Sequence, residues 1–264
     1  MGRLREQRYF GDQSNVSSAG EMEVRIIDRT LIGVVLKRTF DIVTAAPLLL
    51  ALSPILLLVV VGFKLESPGP AIFRSKRVGR HGKVFPMLKF RKMRDDVVGP
   101  ALTSLEDERF TRLGSFLART RLDELPQLWN VVRGDMSVVG PRPEDPGFVA
   151  VYPEEFAEVL QVRPGITGLS QLAFADERRV LDGPDPVGRY VGQLLPQKIG
   201  MDRLYVAVQS TSLDIRIVMW TVLAVLFRVE VSVNRANAQL KVRRRPVAQA
   251  RGDDSQPASG GATT

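Results

Sequence analysis

The sequence contains no cysteine, which excludes disulfides, thiolate nucleophiles and cysteine metal sites and points to a reducing compartment. It has one histidine, His81, whereas a histidine zinc site needs at least two. A Ser-His-Asp triad would have to use that same residue, and no Gly-x-Ser-x-Gly accompanies it. A Gly-x-x-x-x-Gly-Lys-[Ser/Thr] run is also missing, so there is no P-loop. Any catalysis by this chain therefore rests on carboxylates, arginine and lysine, with or without a metal.

Positive charge is in excess. Lysine and arginine number 37 against 29 acidic residues, a formal net charge of +8 and a pI near 10.1. An acidic partner is expected, and charge alone does not rank nucleic acid, anionic lipid and phosphorylated small molecules. At 264 residues and 44% hydrophobic, the chain can bury a core in one or two domains.

Residues 1–20 carry charge and small polar residues without apolar periodicity, and 1–35 reads as a flexible N-terminal segment. No apolar core follows its basic start closely enough for a secretory signal. From Ile42 to Phe63 the chain runs 22 residues without a charge. As a helix this measures about 33 Å, close to the roughly 30 Å hydrocarbon layer. One spanning helix fits that length. Ser53-Pro54 near the middle, and cations at both ends, fit a helix-break-helix that enters and returns. Those cations are Arg25, Arg29, Lys37 and Arg38 before the run, and Lys64, Arg74, Lys76, Arg77 and Arg80 after it. The residues alone leave both topologies open.

Ala71–Phe73 and Val84–Leu88 flank the turn-rich Gly79-Arg80-His81-Gly82 and predict a hairpin over 71–90, with His81 on its surface. Phe110, Leu113, Phe116 and Leu117 predict a helix, and Leu125, Leu128, Trp129 and Val132 a second. Loop chemistry dominates 134–147. Ile217–Phe227 is too short to span and suits a surface helix or a buried one. Lys241, Arg243, Arg244 and Arg245 begin a basic tail that either pairs with anionic headgroups or stays solvated.

The chemistry concentrates in Thr120-Arg121-Leu122-Asp123-Glu124-Leu125-Pro126. Adjacent carboxylates at a helix entry can face one pocket, bind a divalent cation, or divide into a nucleophile and a supporting group. A phosphate can also sit against such a helix start. Thr120-x-x-Asp123 also reads as a capping box, with Asp123 a cap and nothing more. Arg142, fixed between Pro141 and Pro143, suits phosphate capture or an exposed stiff turn. Arg74, Arg77, Arg80 and Lys83 rim the glycines Gly79 and Gly82, as a phosphate cradle or as a solvated basic hairpin, and Lys89 and Arg91 follow. Pro164-Gly165-Ile166-Thr167-Gly168 reads as a ligand-approaching turn or a tight connection.

In order, these stretches resemble the bacterial sugar transferases called monotopic phosphoglycosyl transferases, or polyprenyl-phosphate glycosyl-1-phosphate transferases. The resemblance rests on Lys37-Arg38-Thr39-Phe40-Asp41, Leu52-Ser53-Pro54, Ser67-Pro68-Gly69-Pro70, Arg77-x-Gly79-x-x-Gly82-Lys83-x-Phe85 and Lys89-Phe90-Arg91. It continues through Leu122–Leu128, Gly134-Asp135-Met136-Ser137, Val139–Pro143, Pro164–Gly168, and Asp202-x-x-Tyr205 with Asp214. It implies an α+β, mostly helical, monotopic membrane protein. A re-entrant helix over 36–65, broken at Ser53 and Pro54, would precede a cytoplasmic catalytic domain over 66–240 and a disordered tail over 241–264. Both termini would face the cytoplasm from the inner membrane.

The resemblance further implies that Asp123 is the nucleophile, with Glu124 and Mg²⁺ beside it. Asp123 and Glu124 would be the metal ligands. Arg142, Arg77, Lys89, Arg91, Gly79, Gly82, Pro141 and Pro143 would form the substrate site. The implied partners are a nucleotide sugar donor, a polyprenyl phosphate acceptor and membrane lipids, without nucleic acid; a homodimer stays open. Two departures stand out. The family often has Asn-Gly-Arg where this chain reads Ala173-Phe174-Ala175, leaving Arg178 or Arg179 to replace the arginine. Lys92 takes the place of a usual threonine after Lys-Phe-Arg, a change read as minor. The chain also lacks the multi-span N-terminal portion of larger members and resembles the minimal catalytic form.

Overall fold

A computed structural model describes residues 31–66, 68–93, 110–175, 185–227 and 229–242. Helix α1, Leu31–Glu66, starts inside the segment expected to be flexible and stays helical through Pro47 and Pro54. Pro54 has no N–H for the Leu50 carbonyl four residues earlier, and the Ser53 hydroxyl donates to that oxygen at 2.7 Å instead. The chain thus stays helical across the Ser-Pro pair, where a break was expected.

One stripe of α1 faces the protein, with Asp41, Ala45 and Phe63 buried and Leu49, Leu52 and Leu56 packed between them. The opposite side exposes Val43, Leu50, Ile55, Leu57 and Leu58. An uncharged face of this length left bare needs an apolar neighbour. This helix is long and apolar enough to cross a membrane.

The expected hairpin forms as β1, Ile72–Val78, antiparallel to β2, Val84–Phe90, in the register Ile72↔Phe90 to Val78↔Val84. His81 is exposed, in a left-handed turn at φ 59°, and Gly82 follows at φ 75°. Helix α2, Arg112–Thr120, is capped by Thr111, whose hydroxyl accepts from Gly114 N at 2.9 Å. A left-handed Arg121 ends it, a single 3-10 turn spans Leu122–Glu124, and α3 runs Gln127–Arg133.

The loop expected over 134–147 contains a strand. β3, Ser137–Val139, pairs in parallel with β4, Gly165–Thr167, across the short helices α4, Pro146–Val149, and α5, Pro153–Val159. Then come α6, Leu169–Ala173, and α7, Pro186–Arg189, followed by a wide helical turn Tyr190–Leu194. Helices α8, Leu195–Val208, and α9, Thr211–Phe227, lead to a hairpin of β5, Val231–Val233, and β6, Leu240–Val242. The result is mostly helical α+β, as expected. Its largest core joins Ala45, Phe85, Leu128, Met136, Leu169 and Ile217.

A buried polar network ties α1 into this core. Lys37 Nζ lies 2.8 Å from Asp214 Oδ2 and donates to the Val139 carbonyl at 3.0 Å. Asp41 accepts from the Ser137 hydroxyl and Val138 N at 2.7 and 3.0 Å, and Tyr205 donates to Asp214 at 2.7 Å. Arg38 takes up the last carbonyls of α3, Val131 and Val132, at 2.7 and 2.9 Å. At the other end of α1, Glu66 accepts from Arg112 N at 2.7 Å, and Lys64 donates to the Gly69 carbonyl at 3.1 Å. Both ends of α1 are therefore anchored on one body.

Candidate active site

Asp123 and Glu124 sit on the 3-10 turn, and neither caps a helix. The capping-box reading fails because Thr120 is the last residue of α2. Its hydroxyl donates back to the Phe116 and Leu117 carbonyls at 2.9 and 3.2 Å. Asp123 is buried, 4% exposed, and Glu124 lies beside it.

Three cations meet the pair. Arg142 Nη2 is 2.9 Å from Glu124 Oε1, Lys89 Nζ reaches the same oxygen at 3.4 Å, and Lys92 Nζ lies 3.2 Å from Asp123 Oδ2. Burial would raise the Glu124 carboxyl, but Arg142, Lys89 and Arg121 together hold it well below the usual carboxylate range. Burial, with Arg142 nearby, pushes the Lys89 ammonium down to about 8, against the opposing pull of Glu124. Near neutral pH Glu124 and Lys89 are therefore both charged. This is a compact, charged, partly desolvated centre, suited to binding and transferring phosphoryl groups.

Two packing arrangements bring these groups together. Asn130 on α3 accepts from Leu88 N and donates to the Pro86 carbonyl, at 2.9 and 3.0 Å, which docks β2 and so Lys89 onto the carboxylate turn. Opposite, the Gly-Pro-Arg-Pro loop locks into the Pro-Gly-Ile-Thr-Gly segment. Gly165 N donates to the Pro141 carbonyl at 2.7 Å and Gly140 N to the Thr167 carbonyl at 2.9 Å. A Cβ on Gly165 would run into the Gly140 backbone, and one on Gly168 into the Gly140 carbonyl. These glycines allow two backbones to touch, which orients Arg142 between the buried Pro141 and Pro143.

The other expected residues lie elsewhere. Arg77 pairs with Phe85 across the hairpin, about 13 Å along the strand from Lys89. The amides of Gly79, His81, Gly82 and Lys83 donate to the carbonyls of Lys83, Leu160, Gly79 and Arg80. The glycine turn therefore spends these four donors on folding and docking, leaving none of them for a phosphate. Arg91 is buried and donates to the Pro68 carbonyl at 2.6 Å, securing the segment after α1. Arg178 and Arg179 lie outside the described residues. Arg121 donates to the Ala175 carbonyl at 2.8 Å, so an arginine does reach the place where the family's usual one is lacking. Lys92 and Arg121 are the site cations that sequence reasoning missed. The adjacency of Lys92 to Lys89-Phe90-Arg91 was the available signal.

Behind Arg142 lies a second buried cluster. Glu144 Oε1 accepts from Lys198 Nζ at 2.9 Å and from the Tyr190 hydroxyl at 2.7 Å. Burial would raise Glu144, and Lys198 and Tyr190 lower it overall. Burial pushes Asp202 up to about 7, outweighing Ser170 and Lys198.

Among the described residues no group of three or more acidic or histidine ligands converges on one point. Among the described residues, Asp123 and Glu124 each have one oxygen held by a cation and a second that meets no hydrogen bond or ion pair. Mg²⁺ takes one or two carboxylates together with substrate phosphates and water, so this donor set fits it.

The match to known proteins agrees with this geometry. Residues 32–228 match the model of the family described as bacterial sugar transferase. A UDP-glucose:undecaprenyl-phosphate glucose-1-phosphate transferase of Caulobacter vibrioides is 42% identical over 196 residues, covering 72% of this chain and 69% of the relative. The exopolysaccharide production protein PSS of Rhizobium leguminosarum bv. phaseoli is 43% identical over 203 residues, covering 74% of this chain and 96% of the relative. A UDP-glucose:undecaprenyl-phosphate glucose-1-phosphate transferase of Escherichia coli K12 is 38% identical over 213 residues, 75% of this chain but only 42% of the relative. The fold and site define a membrane-associated enzyme of the phosphoglycosyl transferase class. The chain belongs to the bacterial sugar transferase family.

Proposed function

We propose that this protein transfers a sugar 1-phosphate from a UDP-sugar to polyprenyl phosphate, most simply undecaprenyl phosphate, through a phosphoglycosyl-aspartate at Asp123. The transfer would begin synthesis of an exopolysaccharide or related glycan. The observation that carries this reading is the buried Asp123 next to a Glu124 held by Arg142 and Lys89. Asp123 attacks the sugar-linked phosphorus, and the nucleoside monophosphate leaves with the electron pair of the broken P–O bond. A phosphate oxygen of the lipid acceptor then attacks the same phosphorus and releases the carboxylate. Arg142 and Lys89 bind the phosphates, while Glu124 keeps both cations in place. Asp123 and Glu124 would hold Mg²⁺, which would neutralise phosphate charge there when bound.

The anchoring of α1 supports re-entry. Lys37, Arg38 and Asp41 at one end, and Lys64 and Glu66 at the other, bond to the same domain. A helix crossing the bilayer would carry one of these sets to the far side. Both ends, and the catalytic domain, then lie on the cytoplasmic face of the inner membrane, with the exposed apolar face of α1 in lipid.

Purified protein given UDP-glucose and undecaprenyl phosphate should release UMP, and Asp123→Asn should abolish the release. Release at the wild-type rate by that variant overturns the assignment of the nucleophile.

A further inference from the structure

Lys92 stands where the end of β2 meets the cap of α2. Its carbonyl accepts from Thr111 N at 3.0 Å, and a Cβ on Gly114 would collide with that same carbonyl. The backbone of Lys92 is thus held by the start of α2, itself fixed by the Thr111 cap. From this base the side chain runs to Asp123, with Nζ 3.2 Å from Oδ2. This is the one ion pair that Asp123 makes among the described residues, since Lys89 and Arg142 both go to Glu124.

We propose that Lys92 is a further catalytic residue, whose ammonium passes from the Asp123 carboxylate to the phosphoryl oxygens and back during one cycle. This rests on the reaction proposed above. At rest the ammonium balances the ionised carboxylate. When Oδ1 bonds to phosphorus and the nucleoside monophosphate departs, the carboxylate becomes a neutral acyl group. The nearest negative charge to Nζ then belongs to the phosphoryl oxygens attached through Oδ1. In the second half-reaction the Oδ1–P bond breaks and its electron pair returns to the carboxylate. Lys92 meets that charge as it forms and makes Asp123 a better leaving group. Its proton stays in place throughout.

The same charge that aids departure restrains attack, because it stabilises the carboxylate before it reacts. Removing it therefore slows exit from the covalent state more than entry. A lysine that only supported the fold would not shift this balance.

The test uses the full-length protein in detergent, with UDP-glucose as donor and undecaprenyl phosphate as acceptor. Transfer by Lys92→Met should fall roughly 100-fold, the scale of losing one charged group from a transition state. Mass spectrometry during turnover should find a larger share of enzyme carrying the Asp123 adduct than in wild type. Lys92→Arg, which keeps the charge, should restore at least tenfold of the transfer and the wild-type adduct share. Lys92→Gln repeats the measurement should the methionine variant not fold. Unchanged transfer, a smaller adduct share in the neutral variants, or an arginine variant no better than methionine each overturns the proposal. Failure of the underlying reaction looks different: wild type itself then forms no adduct and releases no UMP, and the role of Lys92 falls with it.

Discussion

Arg142 donates from Nη2 to Oε1 of Glu124 across 2.9 Å. Eighteen residues separate them in the chain, and Lys89 reaches the same oxygen from β2 at 3.4 Å. Glu124 is thus the counter-ion that lets two cations stand close together. In Glu124→Gln the two cations repel without compensation, and the Lys89 ammonium should titrate below its present value of about 8. Turnover should drop roughly 100-fold, the scale of losing one charged contact at a transition state. UMP release measured across pH checks both effects.

The lowered Lys89 value predicts a pH dependence in the wild type. As pH rises through about 8, Lys89 loses its proton, and if it binds the donor phosphates as proposed, donor KM should climb. Stability moves the other way. Between about 8 and the ordinary value of 10.5, the unfolded chain binds the proton that the folded one has lost, so stability rises with pH in that window. Lys89→Arg should flatten the KM profile to beyond pH 9, as initial rates against UDP-glucose would show.

Gly165→Ala should destabilise the protein and displace Arg142 together. The added methyl meets the Gly140 backbone and the Thr167 carbonyl, neither of which can give way by rotating a side chain. Overpacking of this kind costs about 1–3 kcal/mol or more, enough to lower the melting temperature by several degrees. Thermal unfolding checks the first effect, and donor KM the second.

Asp202 carries a burial cost that depends on pH. Its folded value of about 7 lies above the ordinary 3.8, so stability falls as pH rises between those values and the cost is complete above 7. On this shift the cost is on the order of 4 kcal/mol. Asp202→Asn should therefore gain stability relative to wild type at pH 8 and show little gain at pH 4, measured by denaturant titration.

The topology of α1 can be read with single cysteines, because the native chain has none to remove. Ile32 and Leu65 are 70% and 83% exposed at the two ends of the helix. Ile32→Cys and Leu65→Cys should both react with a membrane-impermeant maleimide only after cells are opened. Labelling of one from outside intact cells would identify a spanning helix.

Local signals marked much of the architecture. The hairpin over 71–90 was legible because apolar stretches flank a glycine turn, α2 and α3 because apolar residues recur at helical spacing, and α9 as the unbroken apolar run Ile217–Phe227. Asp123, Glu124 and Arg142 were legible as chemistry, though Asp123 also read as a cap. β3 and β4 were hidden, since each has only three residues and they pair across a gap of more than twenty. Strands that short have no period of their own to display. Lys92 read as a minor change because a lysine beyond a strand says nothing of the carboxylate it meets thirty-one positions later.

By itself the sequence determined what the protein is built from: a long uncharged run bounded by cations, a carboxylate pair before a helix, and an arginine between prolines. Those follow from residue type and spacing, which act over a few neighbours. Tertiary structure alone decided which cation meets which carboxylate, and that the His81 amide of the glycine turn docks on the Leu160 carbonyl. It also decided that the two glycine motifs form a single support for Arg142. Such choices depend on contacts between distant segments, and each is settled by close packing and by the cost of leaving a buried charge without a partner.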